Sequence, residues 1–155
     1  MTLALFLASL SGCSAQTYKI VTPNMSPVLK IGEVRTAAKI DSDYVIKRFD
    51  VIVFTEPEEV RMAAGDAPGA KIISRIIGLP GERIEVKSGE IFVNNQALEL
   101  TFEVILDRRS VAATIVPENE YYVVGDNRPE SLDSRQWKKK TIGRRDISAR
   151  LDDIK

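Results

Sequence analysis

A mainly β fold is predicted for this chain of 155 residues, on two observations. Short runs rich in Val and Ile recur along it, separated by Gly, Pro, Asn and Asp, the pattern of strands bounded by turns. No segment keeps a helical period over about 12 residues, a short stretch from Leu132 to Lys140 excepted. With 44% hydrophobic and 28% charged residues, the composition is that of one globular core.

Leu3 to Leu10 form an apolar run too short to cross a bilayer, which takes about 20 residues, and suit the core of a leader peptide. The run ends in Leu10-Ser11-Gly12-Cys13, which resembles the lipobox of bacterial lipoproteins, where the cysteine is lipidated and becomes the first mature residue. Residues 1–12 are therefore expected to be a signal peptide and 13–155 the mature domain. Only Met1 and Thr2 precede the run, without the positive charge of a leader. A misplaced start, a clipped transmembrane anchor, or a buried N-terminal strand with a chance cysteine are the alternatives.

Candidate strands follow at 18–22, 33–40, 43–47, 50–55, 71–77, 82–87, 90–93, 98–106, 111–116 and 120–125. Between the fourth and fifth, residues 56–70 carry two prolines, two glycines and four acidic residues, the composition of a loop or flap. Asn94-Asn95 reads as a hairpin turn, because asparagine tolerates positive φ.

Absences narrow the chemistry. There is no histidine, which excludes Ser-His-Asp and Cys-His catalysis and most zinc sites. A single cysteine cannot form an intrachain disulfide. The 22 basic and 22 acidic residues balance, so charge gives no reason to propose nucleic acid as a partner. Nothing calls for a cofactor or a metal. If the chain hydrolyses peptides, lysine is the remaining base.

Four blocks now carry a resemblance. They are Thr22-Pro23-Asn24-Met25-Ser26-Pro27-Val28-Leu29, with Gly32-Glu33 beyond it; Asp50 to Phe54; Ser74-Arg75-Ile76-Ile77-Gly78-Leu79-Pro80-Gly81-Glu82; and Gly125-Asp126-Asn127-Arg128-Pro129-Glu130-Ser131-Leu132-Asp133-Ser134-Arg135-Gln136-Trp137. In order and wording they are similar to the type I signal peptidases, serine/lysine proteases that remove secretory leaders. The last block fits the family pattern Gly-Asp-Asn-Arg-x-x-Ser-x-Asp-Ser-Arg-x-Trp at every fixed position.

The resemblance implies a single coiled antiparallel β-sheet domain, with the family's cap reduced to residues 94–116. In this family a serine attacks the peptide carbonyl and a buried, neutral lysine takes its proton. The alignment puts Asn24 at the nucleophile and Ser74 at the base, so both members of the dyad are replaced. Thr22 stands at the oxyanion position and Ser131 at the hydroxyl that orients the lysine. Asp126, Asn127, Arg128, Asp133 and Arg135 take structural roles, with Asp133 and Arg135 expected to pair and brace the site wall.

A groove around Met25, Pro27, Ile72, Ile73 and Ser131 is expected to take an extended peptide. Ser26 and Lys71 offer a displaced dyad, although strand alternation sends Lys71 to the face opposite residue 74. The implied protein is a lipid-anchored, extracytoplasmic signal-peptidase-like factor of the bacterial envelope. It would have lost proteolysis and hold leader-like peptides of secreted proteins; the alternative is an active peptidase using Ser26 and Lys71. Six basic residues within 138–150 form either a solvated edge or a face for anionic lipid, and Trp137 beside them is either core or a headgroup anchor.

Overall fold

The computed structural model describes residues 15–152 and 154, so the expected leader and Cys13 lie outside the described residues. Strands β1 (Ala15–Lys19), β2 (Val34–Lys39), β3 (Val51–Thr55) and β4 (Lys71–Gly78) come first, with helix α1 (Glu58–Ala64) between the last two. They are followed by β5 (Arg83–Lys87), β6 (Glu90–Val93), β7 (Gln96–Ala97), β8 (Val111–Ile115), β9 (Glu120–Val124), β10 (Ile142–Gly143) and β11 (Ile147–Leu151). All strand pairings are antiparallel.

The fold is the expected mainly antiparallel β domain, and its strands among the described residues divide between two sheets. The larger runs β1-β2-β11-β3-β4-β9-β10 and the smaller β7-β6-β5-β8. The division falls at Leu79 to Glu82, where Gly81 takes φ 81° and the Glu82 carboxylate accepts the Leu79 N–H at 2.7 Å. Residues 94–116, the expected cap, supply the smaller sheet's edge strands β7 and β8.

The central strands are apolar without alternation because both of their faces are covered. Ile52 and Phe54 of β3 join Ile76, Val123, Trp137 and Ile142 in one core, while Val51 and Val53 join Met25, Leu29, Ala149 and Leu151 in a second. A third core, with Ile77, Ile84, Val86 and Tyr122, lies between the sheets. Strand β11 serves both of the first two cores by a bulge. Ile147 and Ala149 oppose the consecutive residues Phe54 and Val53, so these two side chains reach opposite faces despite their spacing.

Four expectations are corrected. Residues 43–47 form no strand, because the Asp41 and Asp50 carboxylates accept the N–H groups of Asp43, Tyr44 and Lys47 at 2.9–3.1 Å, which a ladder would need. Residues 98–106 wrap across the molecule with one bridge, Ile105 to Asn127. The stretch 132–140 is a set of turns: Asp133 accepts from the Gln136 N–H, its carboxylate engages Gly125 and Arg135, and no helix propagates. The 56–70 loop, by contrast, contains α1, closed by Gly65 in the left-handed region at φ 77°. The Asn94-Asn95 hairpin is present, with φ 50° and 70° joining β6 to β7.

Candidate active site

Strand β4 positions the site. Ile76 exchanges hydrogen bonds with the Phe49–Asp50 segment beside β3, at 2.8 and 2.9 Å. By the two-residue period Ser74 and Ile72 therefore also bond toward β3, while Lys71 and Ile73 direct their N–H and C=O groups to the other side. There β9 pairs only from Arg75 onward. Residues 71–73 consequently have no strand paired on that edge.

Asn24 sits against that edge. Its Nδ2 donates to the Ile73 carbonyl at 2.7 Å, and its Oδ1 accepts from Thr22 Oγ1 at 2.7 Å. Both ends of the amide are bound. The loop that carries it is pinned from the far end of the chain, since Asn127 N–H donates to the Asn24 carbonyl at 2.9 Å and Asn127 Nδ2 to the Pro23 carbonyl at 3.1 Å.

Ser74 is buried opposite Ile52, and its register with β9 places it beside Gly125. A side chain on Gly125 would collide with Ser131 Oγ at 2.3 Å and the Asn24 carbonyl at 2.5 Å. This glycine lets the 24, 74 and 131 segments close together. The Ser131 hydroxyl is buried and finds no hydrogen-bond partner among the described residues.

The wall behind is ionic. Arg75 grips Asp126 with both ends of its guanidinium at 2.9 and 2.6 Å, donates to the Phe49 carbonyl at 3.0 Å, and lies 3.8 Å over the Phe102 ring. Burial lifts the Asp126 carboxyl above the usual range, against the pull of Arg75. Arg135 bonds Asp133 at 2.8 and 2.9 Å, Asp107 at 2.8 Å and the Arg128 carbonyl at 2.8 Å. Burial opposes the Arg135 charge, yet these carboxylates hold its guanidinium above its ordinary value. Arg128, equally buried, is held below its own by burial and then by repulsion from Arg135. Trp137 is core, edge-on to Phe54 at 6.2 Å between centroids. Of the basic cluster beside it, Lys139, Lys140, Arg144 and Arg150 each bond within the chain.

A groove of about 410 Å³ runs from Thr22, Asn24 and Met25 past Ile73, Ile72 and Lys71 to Glu56, Val60, Ala64 and Asp66. Lys71 was expected on the opposite face from the site. It lines the groove all the same, because the groove follows the edge of β4, which residues of either face border. Its ammonium donates to Thr55 Oγ1 at 2.8 Å, while Ser26 Oγ donates to the Leu29 carbonyl at 3.3 Å, so the two expected members of a displaced dyad engage different partners. Pro27 and Ser131 are not on the lining; Glu130 and Leu132 are. Sequence reasoning missed Glu56, Val60, Ala64 and Asp66, whose loop gave no signal of approaching β4.

A family model described as signal peptidase, peptidase S26, matches residues 1–152. The chain belongs to this family. It is 31% identical over 124 residues to a probable signal peptidase I-1 of Synechocystis, a match that covers 79% of this chain and 63% of that protein. To signal peptidase I V of Bacillus subtilis it is 30% identical over 135 residues, covering 77% and 74%. The crystal structure of a signal peptidase I from Enterococcus faecalis superposes with a TM-score of 0.53 at 27% identity, over 71% of this chain and 99% of that one. The chain spans 61–63% of the length of the Synechocystis and Leptolyngbya relatives. The antiparallel β architecture is thus the signal peptidase I architecture, and the chain is a signal peptidase I-like protein.

Proposed function

We propose that this chain is a lipid-anchored, extracytoplasmic member of the family that binds extended or leader-like peptides of secreted proteins without cleaving them, as a chaperone or assembly factor. The Asn24 amide carries the reading. It occupies the nucleophile position, has no useful nucleophilicity, and is tied at one end to the oxyanion-position hydroxyl of Thr22 and at the other to the edge of β4. Ser74 at the base position is a buried neutral hydroxyl that cannot act as a resting base. The edge over residues 71–73, which no strand covers and where only the Ile73 carbonyl is taken by Asn24, supports peptide binding by strand addition, with pockets beside it for side chains.

The test is to mix the purified full chain with a leader-bearing precursor. Binding without turnover is the expected result. Turnover that is abolished by Ser26→Ala or Lys71→Ala would establish the displaced dyad instead.

A further inference from the structure

The end of the groove away from Asn24 contains a group that the peptide-binding reading does not use. Glu56 lines it and is only 9% exposed, and its Oε2 has no hydrogen-bond partner among the described residues. Its own N–H is fixed to the Ala70 carbonyl at 2.9 Å, one step beyond the Thr55–Lys71 pair. A second carboxylate, Asp66, lines the same end. Burial first, and then Asp66, push the Glu56 carboxyl above its ordinary range, with Arg61 pulling it down.

The nearby cations are engaged elsewhere. Arg61 is bound to the Glu58 carboxylate and to the Asp66 carbonyl, and Lys71 to Thr55. Val60, Ala64 and Ile72 provide apolar walls between this end and Ile73. A buried carboxyl oxygen without a partner is unfavourable, and a cation that reaches it from the groove relieves that cost. Lysine and arginine suit the shape, since their stems lie along apolar walls while the charged head goes forward. No group of three or more metal-ligating side chains occurs among the described residues, so the carboxyls do not make a metal site.

We propose that Glu56, supported by Asp66, forms a subsite for one basic side chain of the bound peptide. The proposal rests on the peptide-binding reading above and names its ligand class. The basic residue sits about two or three positions along the peptide from the one facing Asn24, because Lys71 and Ile73 are one strand repeat apart and Ala70 is a step further.

The experiment is calorimetric titration of the full chain with two extended leader-like peptides that differ only in lysine or norleucine at that position. The lysine peptide is expected to bind about tenfold tighter or more, and Glu56→Gln to reduce the preference to about twofold or less. In the unmutated protein, carboxyl NMR provides an independent reading: the lysine peptide should lower the titration midpoint of Glu56 and the norleucine peptide should not. Equal affinity of the two peptides for the wild type, or a preference that survives Glu56→Gln, overturns the subsite and leaves the groove standing. Binding of neither peptide overturns both.

Discussion

Rebuilding the dyad by Asn24→Ser together with Ser74→Lys should create measurable cleavage of a leader peptide, and the structure indicates what the change demands. Ser74 is 2% exposed, so a lysine there must be largely neutral. Bringing its pKa from about 10.4 to about 7 removes about 4–5 kcal/mol of stability at neutral pH. The added methylenes cost about 1–3 kcal/mol more in a packed position. The unpartnered Ser131 hydroxyl returns about 1 kcal/mol by accepting or donating a hydrogen bond. Against a total stability of about 5–15 kcal/mol, the variant folds with little to spare.

The sign of the pH dependence follows. Between the lowered pKa of the folded lysine and its ordinary value in the unfolded chain, the unfolded state binds the additional proton, so stability rises with pH across that window and is level, at its lowest, below it. Urea unfolding at pH 7 and pH 10 checks the energetics, and single-turnover cleavage between pH 6 and 10 checks the chemistry. The double variant should exceed each single variant by about 10²- to 10⁴-fold, because a nucleophile and its base act as one unit. The reasoning fails if Asn24→Ser alone cleaves as fast as the pair, or if a folded double variant is inert while its lysine titrates near its ordinary value.

Three other expectations are simpler. Arg75→Met leaves Asp126 buried and unpaired and should cost about 3–5 kcal/mol by denaturant unfolding, most of it recovered in Arg75→Met with Asp126→Leu. Gly125→Ala forces Ser131 and the Asn24 loop apart, with a loss of about 1–3 kcal/mol and weaker peptide binding by calorimetry; an unchanged affinity would disprove the role given to the close approach. Cys13→Ser should move the protein from the membrane fraction to the soluble one, and mass spectrometry finding an unmodified peptide across residue 13 in membrane-associated protein would refute the anchor.

The sequence was most informative where local chemistry and final environment agree. The run Val51 to Phe54 is apolar throughout because β3 has a core on each side, and the block from Gly125 to Trp137 is legible because its polar residues bond one another. Strand β11 is short and carries a bulge at Ser148 that puts Ile147 and Ala149 on opposite faces, which alternation alone does not indicate. Helix α1 spans only seven residues, too few for a period to emerge. Glu56 carried no signal at all, since its importance lies in the partner its carboxyl lacks and in the distant strand beside it. Lys71 takes the face that alternation assigns it, opposite Ser74, and still borders the groove because the groove follows an edge.

The order of the larger sheet has a consequence for how the molecule is made. Strand β11, the last strand among the described residues, lies third in that sheet, between β2 and β3, two elements emerging from the ribosome about a hundred residues earlier. Until it arrives, β2 and β3 each present an unpaired row of peptide groups, and Val51 to Phe54 is a strongly apolar strand to leave uncovered. Contacts so distant in sequence slow folding, because the intervening loop must close before they are made. Loss of β11 should therefore yield aggregates rather than a shortened domain.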